Sequence, residues 1–209
     1  MEQNAFESEQ ELNNYSATII RPYFNNCSEA REPSPHGSPQ APYLQEVLHM
    51  RREYVKINIL AIGTQMPAWV TDGINEYLVR MPADYQVTLA EIPAIKRLKN
   101  SDIHAILDKE GAALLAKTLP SQLTIALDRI GKDIDTRYLS QSLQTWHDEQ
   151  QDINLLIGGP EGLSASVLKQ AQLTWSLSKL TLPHPLVRVL VAEQLYRAYT
   201  IIKNHPYHR

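Results

Sequence analysis

From Val55 onward, apolar runs of strand length alternate with segments of helical period, while residues 1–49 show neither pattern. Val55–Ile62 (VKINILAI) is a β-branched run stopped by Gly63 and predicts the first strand. Pro67–Arg80 sets Trp69, Val70, Ile74, Tyr77 and Leu78 at helical spacing, with Pro67 where a first turn tolerates a missing N–H. Gln86–Ile92 predicts a second strand. Ser101 and Asp102 offer caps for a helix through Leu115, ended by Pro120. Leu123–Leu127 predicts the third strand, Tyr138–Gln150 the third helix, and Ile153–Ile157 (INLLI) the fourth strand. A short helix over Ala165–Gln170, a fifth strand over Trp175–Ser178 and a long helix over Leu186–Asn204 complete the pattern. Strands this apolar, alternating with helices, predict an α/β fold whose mostly parallel sheet is covered on both faces.

Charge divides the chain at the same place. Residues 1–49 hold seven acids and two bases, whereas residues 50–209 hold 16 acids and 18 bases. The net charge of −3 therefore combines an acidic start of −5 with a slightly basic remainder of +2. The first part also contains both phenylalanines, the single Cys27 and five prolines, with Glu29–Pro42 reading as extended or disordered. Residues 1–54 are expected to be an acidic, proline-rich extension, either flexible or translated upstream sequence that the working protein lacks, with residues 1–49 dispensable for function and only Tyr15–Ile20 able to form a strand or a helical turn. Residues 55–209 are expected to be the working domain. One cysteine excludes a disulfide framework and a cysteine-rich zinc site. No apolar run approaches the ~20 residues of a membrane span, and no basic segment followed by an apolar one marks a secretory signal. A soluble cytoplasmic protein is expected.

In an open α/β sheet, ligands gather beyond the carboxyl ends of the strands. The segments Gly63-Thr64, Leu127–Arg129, Ile157–Gly162 and Leu180–Pro185 lie at such ends. The glycines after the fourth strand let a ligand approach the backbone, or they simply make a tight turn. Familiar nucleotide motifs are missing. Counting from Gly158, the first, third and sixth positions are Gly158, Pro160 and Leu163, which fails the dinucleotide fingerprint. No phosphate loop and no nucleophile elbow occur. His205 and His208 have no carboxylate nearby in sequence to complete a metal site, so none is expected.

The strings LLIGGPEGLS (Leu155–Ser164), WSLSKLTLPHPLVRVLVAEQLYRAY (Trp175–Tyr199) and NHPYHR (Asn204–Arg209) resemble the RlmH family of SPOUT-class methyltransferases. KINILAIGTQMPAWV, EIPAIKRLKN and LDKEG agree, so the likeness runs from about Val55 to Arg209. It implies a parallel sheet whose C-terminal segment makes a deep trefoil knot around an S-adenosylmethionine pocket. It also implies a homodimer that methylates N3 of a pseudouridine in helix 69 of 23S rRNA on the assembled ribosome. The matching cofactor positions are Leu127, Gly159, Ser178, Lys179, Leu180, Thr181, Leu182 and Pro183, of which Lys179 departs from the family pattern.

The transferred methyl group needs a deprotonated imide nitrogen as its acceptor, so a base or an anion stabiliser is wanted. The candidates are Arg188, Glu193, Tyr207 and His208, with His184, Arg197 and His205 behind them. Each has a plainer role. Glu193 and Arg197 stand i,i+4 and make a helix-surface ion pair, Arg188 pairs structurally, and His184 fixes a loop between two prolines. Lys96, Arg97, Lys99 and Arg197 are the candidate RNA contacts, against the plain reading of a solvated basic loop. The last helix is apolar around most of its circumference; a central core helix is the plain reading, but with so small a domain to cover it, burial in an isologous dimer is expected. Two other functions fit the residues: an α/β enzyme with another nucleotide at Gly158-Gly159, or a non-catalytic ribosome-binding factor of the same fold.

Overall fold

The structure is a computed structural model that describes residues 52–208, and the His208 side chain lies outside what it describes. The acidic extension through Arg51, with Tyr15–Ile20 and Cys27, lies outside the described residues, as does Arg209. Five strands form one sheet: β1 (Val55–Ile62), β2 (Tyr85–Ile92), β3 (Leu123–Asp133), β4 (Ile153–Ile157) and β5 (Leu173–Ser176). Their order is β2-β1-β4-β3-β5, and every pairing is parallel. The helices are α1 (Ala68–Leu78), α2 (Ile103–Leu115), α3 (Thr136–Asp148), α4 (Ala165–Gln170) and α5 (His184–Ile202), followed by a 3₁₀ turn at Pro206–His208. The α/β fold expected from the pattern is the one observed.

Apolar side chains leave the strands on both faces. On one face Leu60, Ile62, Ala126 and Leu156 pack with Leu114 of α2 and Val167 of α4. On the other, Leu89 joins Val70 and Ile74 of α1 and Val189 and Ala192 of α5. A polar ladder crosses the sheet, from exposed Thr88 to the wholly buried Asn154. Thr88 donates to Asn58, Asn58 donates to Asn154 at 3.0 Å, and Asn154 donates to Gln122 at 3.0 Å. Asn58 is the register partner of both Thr88 and Asn154, so slipping a strand by one residue would bury unpaired amides.

Helix starts follow their caps. Asp102 accepts from the N–H groups of His104 and Ala105, and Asp135 accepts from that of Tyr138. Several boundaries differ from expectation: β5 spans Leu173–Ser176 rather than Trp175–Ser178, α3 spans Thr136–Asp148 rather than Tyr138–Gln150, and β3 and α5 each extend further at one end. β3 runs on to Asp133, pairing Leu127 and then Lys132 with the same residue, Trp175, so residues 128–131 loop out of the sheet. α5 begins at His184 rather than Leu186, because Pro185 is tolerated in a first turn. Much of the apolar surface of α5 is covered inside the chain, by α1 on one side and α3 on the other. Val191, Ala192, Leu195 and Ala198 are buried there, whereas Leu186 stays 39% exposed.

Candidate active site

Three strand ends build one cleft. β4 is buried along its whole length and stops at Ile157, where Gly158–Gly162 folds back on itself. Gly159 and Gly162 form an antiparallel bridge, and the Gly162 N–H donates to the Gly159 carbonyl at 3.0 Å. Gly162 has φ +88°, a conformation that costs glycine little. Beyond β5 the Ser178 hydroxyl accepts from the Leu180 N–H at 2.9 Å, and Pro183 then caps α5. With the residues that follow Leu127, these turns enclose about 590 Å³. That volume suits a cofactor-sized ligand.

Of the expected cofactor positions, Leu127, Gly159, Ser178, Leu180, Thr181, Leu182 and Pro183 all line this cleft. Lys179 does not. Its side chain is 87% exposed and its ammonium lies 3.4 Å from Asp133. The segment Gly63-Thr64 also stays outside, although Gly63 lies against Arg188 and His184. Two lining residues, Trp175 and His184, carry a buried nitrogen without a hydrogen-bond partner, Nε1 and Nδ1 respectively. A wall of glycines, backbone groups and spare nitrogens fits a nucleoside held mainly through its heteroatoms.

Charged groups behind the cleft are tightly paired. Arg97 hydrogen-bonds Glu110, Glu161 and the Ile95 carbonyl, and Glu110 is only 3% exposed. Glu161 is a cleft-lining residue. Its carboxyl is held below the ordinary range, chiefly by the hydrogen bond from Arg97. Arg188 is wholly buried, donating to Glu91 at 2.5 Å and to the Ile62 and Gly63 carbonyls at 2.6 and 2.9 Å. Its plainer, structural pairing is thus the geometry present. His184 has a lowered pKa, first from burial and then from the charges of Arg188 and Arg97, which leaves a neutral ring at pH 7.

Glu193, Arg197 and Tyr207 meet towards the far end of α5. Glu193 Oε1 accepts from Arg197 Nε at 2.8 Å and from the Tyr207 hydroxyl at 3.2 Å. Arg197 lies over the Tyr207 ring at 4.8 Å, and the Tyr196 ring meets Tyr207 edge-on at 4.9 Å. The Tyr207 phenol is pushed up to about 12 by burial, a hydrogen bond with Tyr77 and the Glu193 carboxylate. It therefore remains a proton-bearing donor at physiological pH. Val187 lines the cleft, and Arg197 follows ten positions later, about 15 Å along the helix axis. One chain thus holds its cofactor-type cleft and its C-terminal polar cluster apart. Lys96 and Lys99 are exposed on the loop after β2.

A family model described as "Predicted SPOUT methyltransferase" matches residues 55–208. The chain belongs to the SPOUT methyltransferase family. SPOUT methyltransferases in general use S-adenosylmethionine, so the SPOUT domain found here is that of a methyltransferase. Its five-stranded parallel sheet agrees with that fold. Among the described residues no three His, Cys, Asp or Glu side chains are grouped to hold a metal, and no helix is long and apolar enough to cross a membrane.

Sequence reasoning missed the Arg97 arrangement. Its two carboxylate partners are 13 and 64 positions away, and a basic loop carries no local sign of them.

Proposed function

We propose that this SPOUT protein transfers a methyl group from S-adenosylmethionine to N3 of a pseudouridine in helix 69 of bacterial 23S rRNA, on the assembled ribosome and as a homodimer. The observation that carries this reading is the cleft itself. Besides Leu127–Arg129, its walls are Ile157–Gly162 and residues between Trp175 and Val187, which lie within the segments whose sequences gave the RlmH likeness. A trefoil knot at these loops belongs to the same reading.

S-adenosylmethionine supplies an electrophilic methyl on a sulfonium, and the protein's work is alignment and proton management. Leu127, Gly159 and the run Ser178–Pro183 hold the donor, with backbone contacts sufficing at Lys179. Pro183, with φ fixed by its ring, stiffens the wall where α5 begins. Glu193, Arg197, Tyr207 and His208 approach the substrate, and Arg188 supports the cleft from behind. Association of two copies would bring the C-terminal cluster of one to the cleft of the other. Trp69 and Leu186, at the starts of α1 and α5, are exposed apolar residues suited to that contact.

The test is to incubate the protein with labelled S-adenosylmethionine and ribosomes that lack the modification, then map the label. Label at N3 of a helix 69 pseudouridine is expected, and its absence from 23S rRNA would remove this substrate. On the RNA side, replacing Lys96 or Lys99 by alanine should weaken ribosome binding and lower its salt slope by about 1 each. An unchanged slope takes the loop out of the footprint.

A further inference from the structure

The geometry points to Arg97 as a positioning residue that holds the Gly158–Gly162 turn of the cofactor cleft from outside it, by bridging Glu161 in that turn to the buried Glu110 of α2. This rests on the SPOUT cofactor reading of the cleft. A guanidinium has five N–H donors, and all of them are used. Nε donates to Glu161 at 3.1 Å. Nη1 donates to the Ile95 carbonyl at 2.7 Å and to Glu110 at 2.6 Å. Nη2 donates to Glu110 at 3.1 Å and to Glu161 at 2.5 Å.

A saturated guanidinium can take a phosphate only by giving up a carboxylate. Glu110 is the fixed end of the bridge. It is 3% exposed, and it also accepts the Ile95 N–H at 2.8 Å, so the loop before Arg97 is pinned to α2 as well. Glu161 is the working end, since it belongs to the turn that lines the cleft. The turn rests directly on the bridge. A Cβ built on Gly159 would lie 3.3 Å from Arg97 Nη2 and 3.4 Å from Glu110 Oε2. The absence of a side chain at 159 thus lets the cleft backbone sit on the ion pair. Lysine could not replace this arginine, because one ammonium cannot bind two carboxylates in a fixed plane.

Hydrogen exchange of the ligand-free full chain tests the latch apart from any cofactor. In R97A and in E161Q the amides of Gly158–Leu163 should exchange at least ~10-fold faster than in the unaltered protein. R97K should fail to restore the slow rate. E161Q leaves the Arg97–Glu110 pair intact, so it reports on the turn even if R97A fails to fold. Unchanged exchange in a folded variant overturns the latch.

Calorimetry with S-adenosylmethionine then reads the consequence. Each variant should bind at least ~10-fold more weakly, and R97A/E161Q should bind no more weakly than the worse single variant. In turnover, KM for S-adenosylmethionine should rise while kcat at saturation stays near its original value. Additive losses would mean that Glu161 touches the cofactor by itself, and would overturn the positioning role. If the unaltered protein binds no S-adenosylmethionine, the functional reading fails, while the exchange rates still decide the latch.

Discussion

Arg188→Ala should lower the unfolding free energy by about 3 kcal/mol, read as a shift of the urea midpoint at unchanged slope. The side chain is 0% exposed and enters the domain from the first turns of α5. Its guanidinium joins three elements: α5 itself, the end of β1 through the Ile62 and Gly63 carbonyls, and the end of β2 through Glu91. Alanine removes these donors together and leaves a cavity as long as an arginine. The two carbonyls would be left buried without partners. Glu91 limits the loss, because its side chain is 32% exposed and can regain water. The lower end of the range for broken buried pairs is therefore expected. Arg188→Met fills more of the space, so it should fall between alanine and the native residue. A midpoint for Arg188→Ala within ~0.5 kcal/mol of the original would mean that the buried pair contributes nothing net.

Gly158→Ala should reduce methyl transfer by at least ~100-fold while the sheet remains folded. A Cβ on residue 158 would lie 2.3 Å from the Gly162 carbonyl oxygen and 2.4 Å from its carbon. Both are backbone atoms, so no rotamer change can relieve the clash. The turn must open, and with it the wall that Gly158, Gly159 and Gly162 give the cleft. Gly159→Ala should be milder, since its nearest obstacles are side chains of Ile62, Arg97 and Glu110. Circular dichroism confirms folding, and calorimetry with S-adenosylmethionine separates lost binding from lost turnover. A folded Gly158→Ala protein that binds and methylates normally would show that the turn plays no part in the site.

Where sequence and structure agree, a local stop signal is present. β1 and β4 end at glycines and α4 starts at a serine cap, and each was legible to its boundaries. The three cleft loops were legible because strand ends in a parallel sheet are where ligands bind. β3 was read short because its continuation, Asp128–Asp133, is mostly polar. Its end, Lys132-Asp133, is held by pairing with β5, which no local pattern encodes. α3 was read late because Thr136 and Arg137 lack apolar character, although the Asp135 cap marks its start. Arg97 and Arg188 were legible as cations but not as partners. Their carboxylates come from segments brought near only by the fold. Long-range charge pairing is the part of this site that a linear pattern leaves out.

α5 reaches both the cleft and the C-terminal polar cluster, with Val187 in the cleft wall and Glu193 and Arg197 beside Tyr207. A continuous helix turns ~100° and advances ~1.5 Å per residue, which fixes the phase between those regions as well as their spacing. One inserted or deleted residue between Val187 and Glu193 would swing the C-terminal cluster a quarter-turn around the axis. An insertion of seven would restore the phase but lengthen the gap by about 10 Å. Homologous chains should therefore vary here by substitution alone, with length changes confined to the loops outside α5.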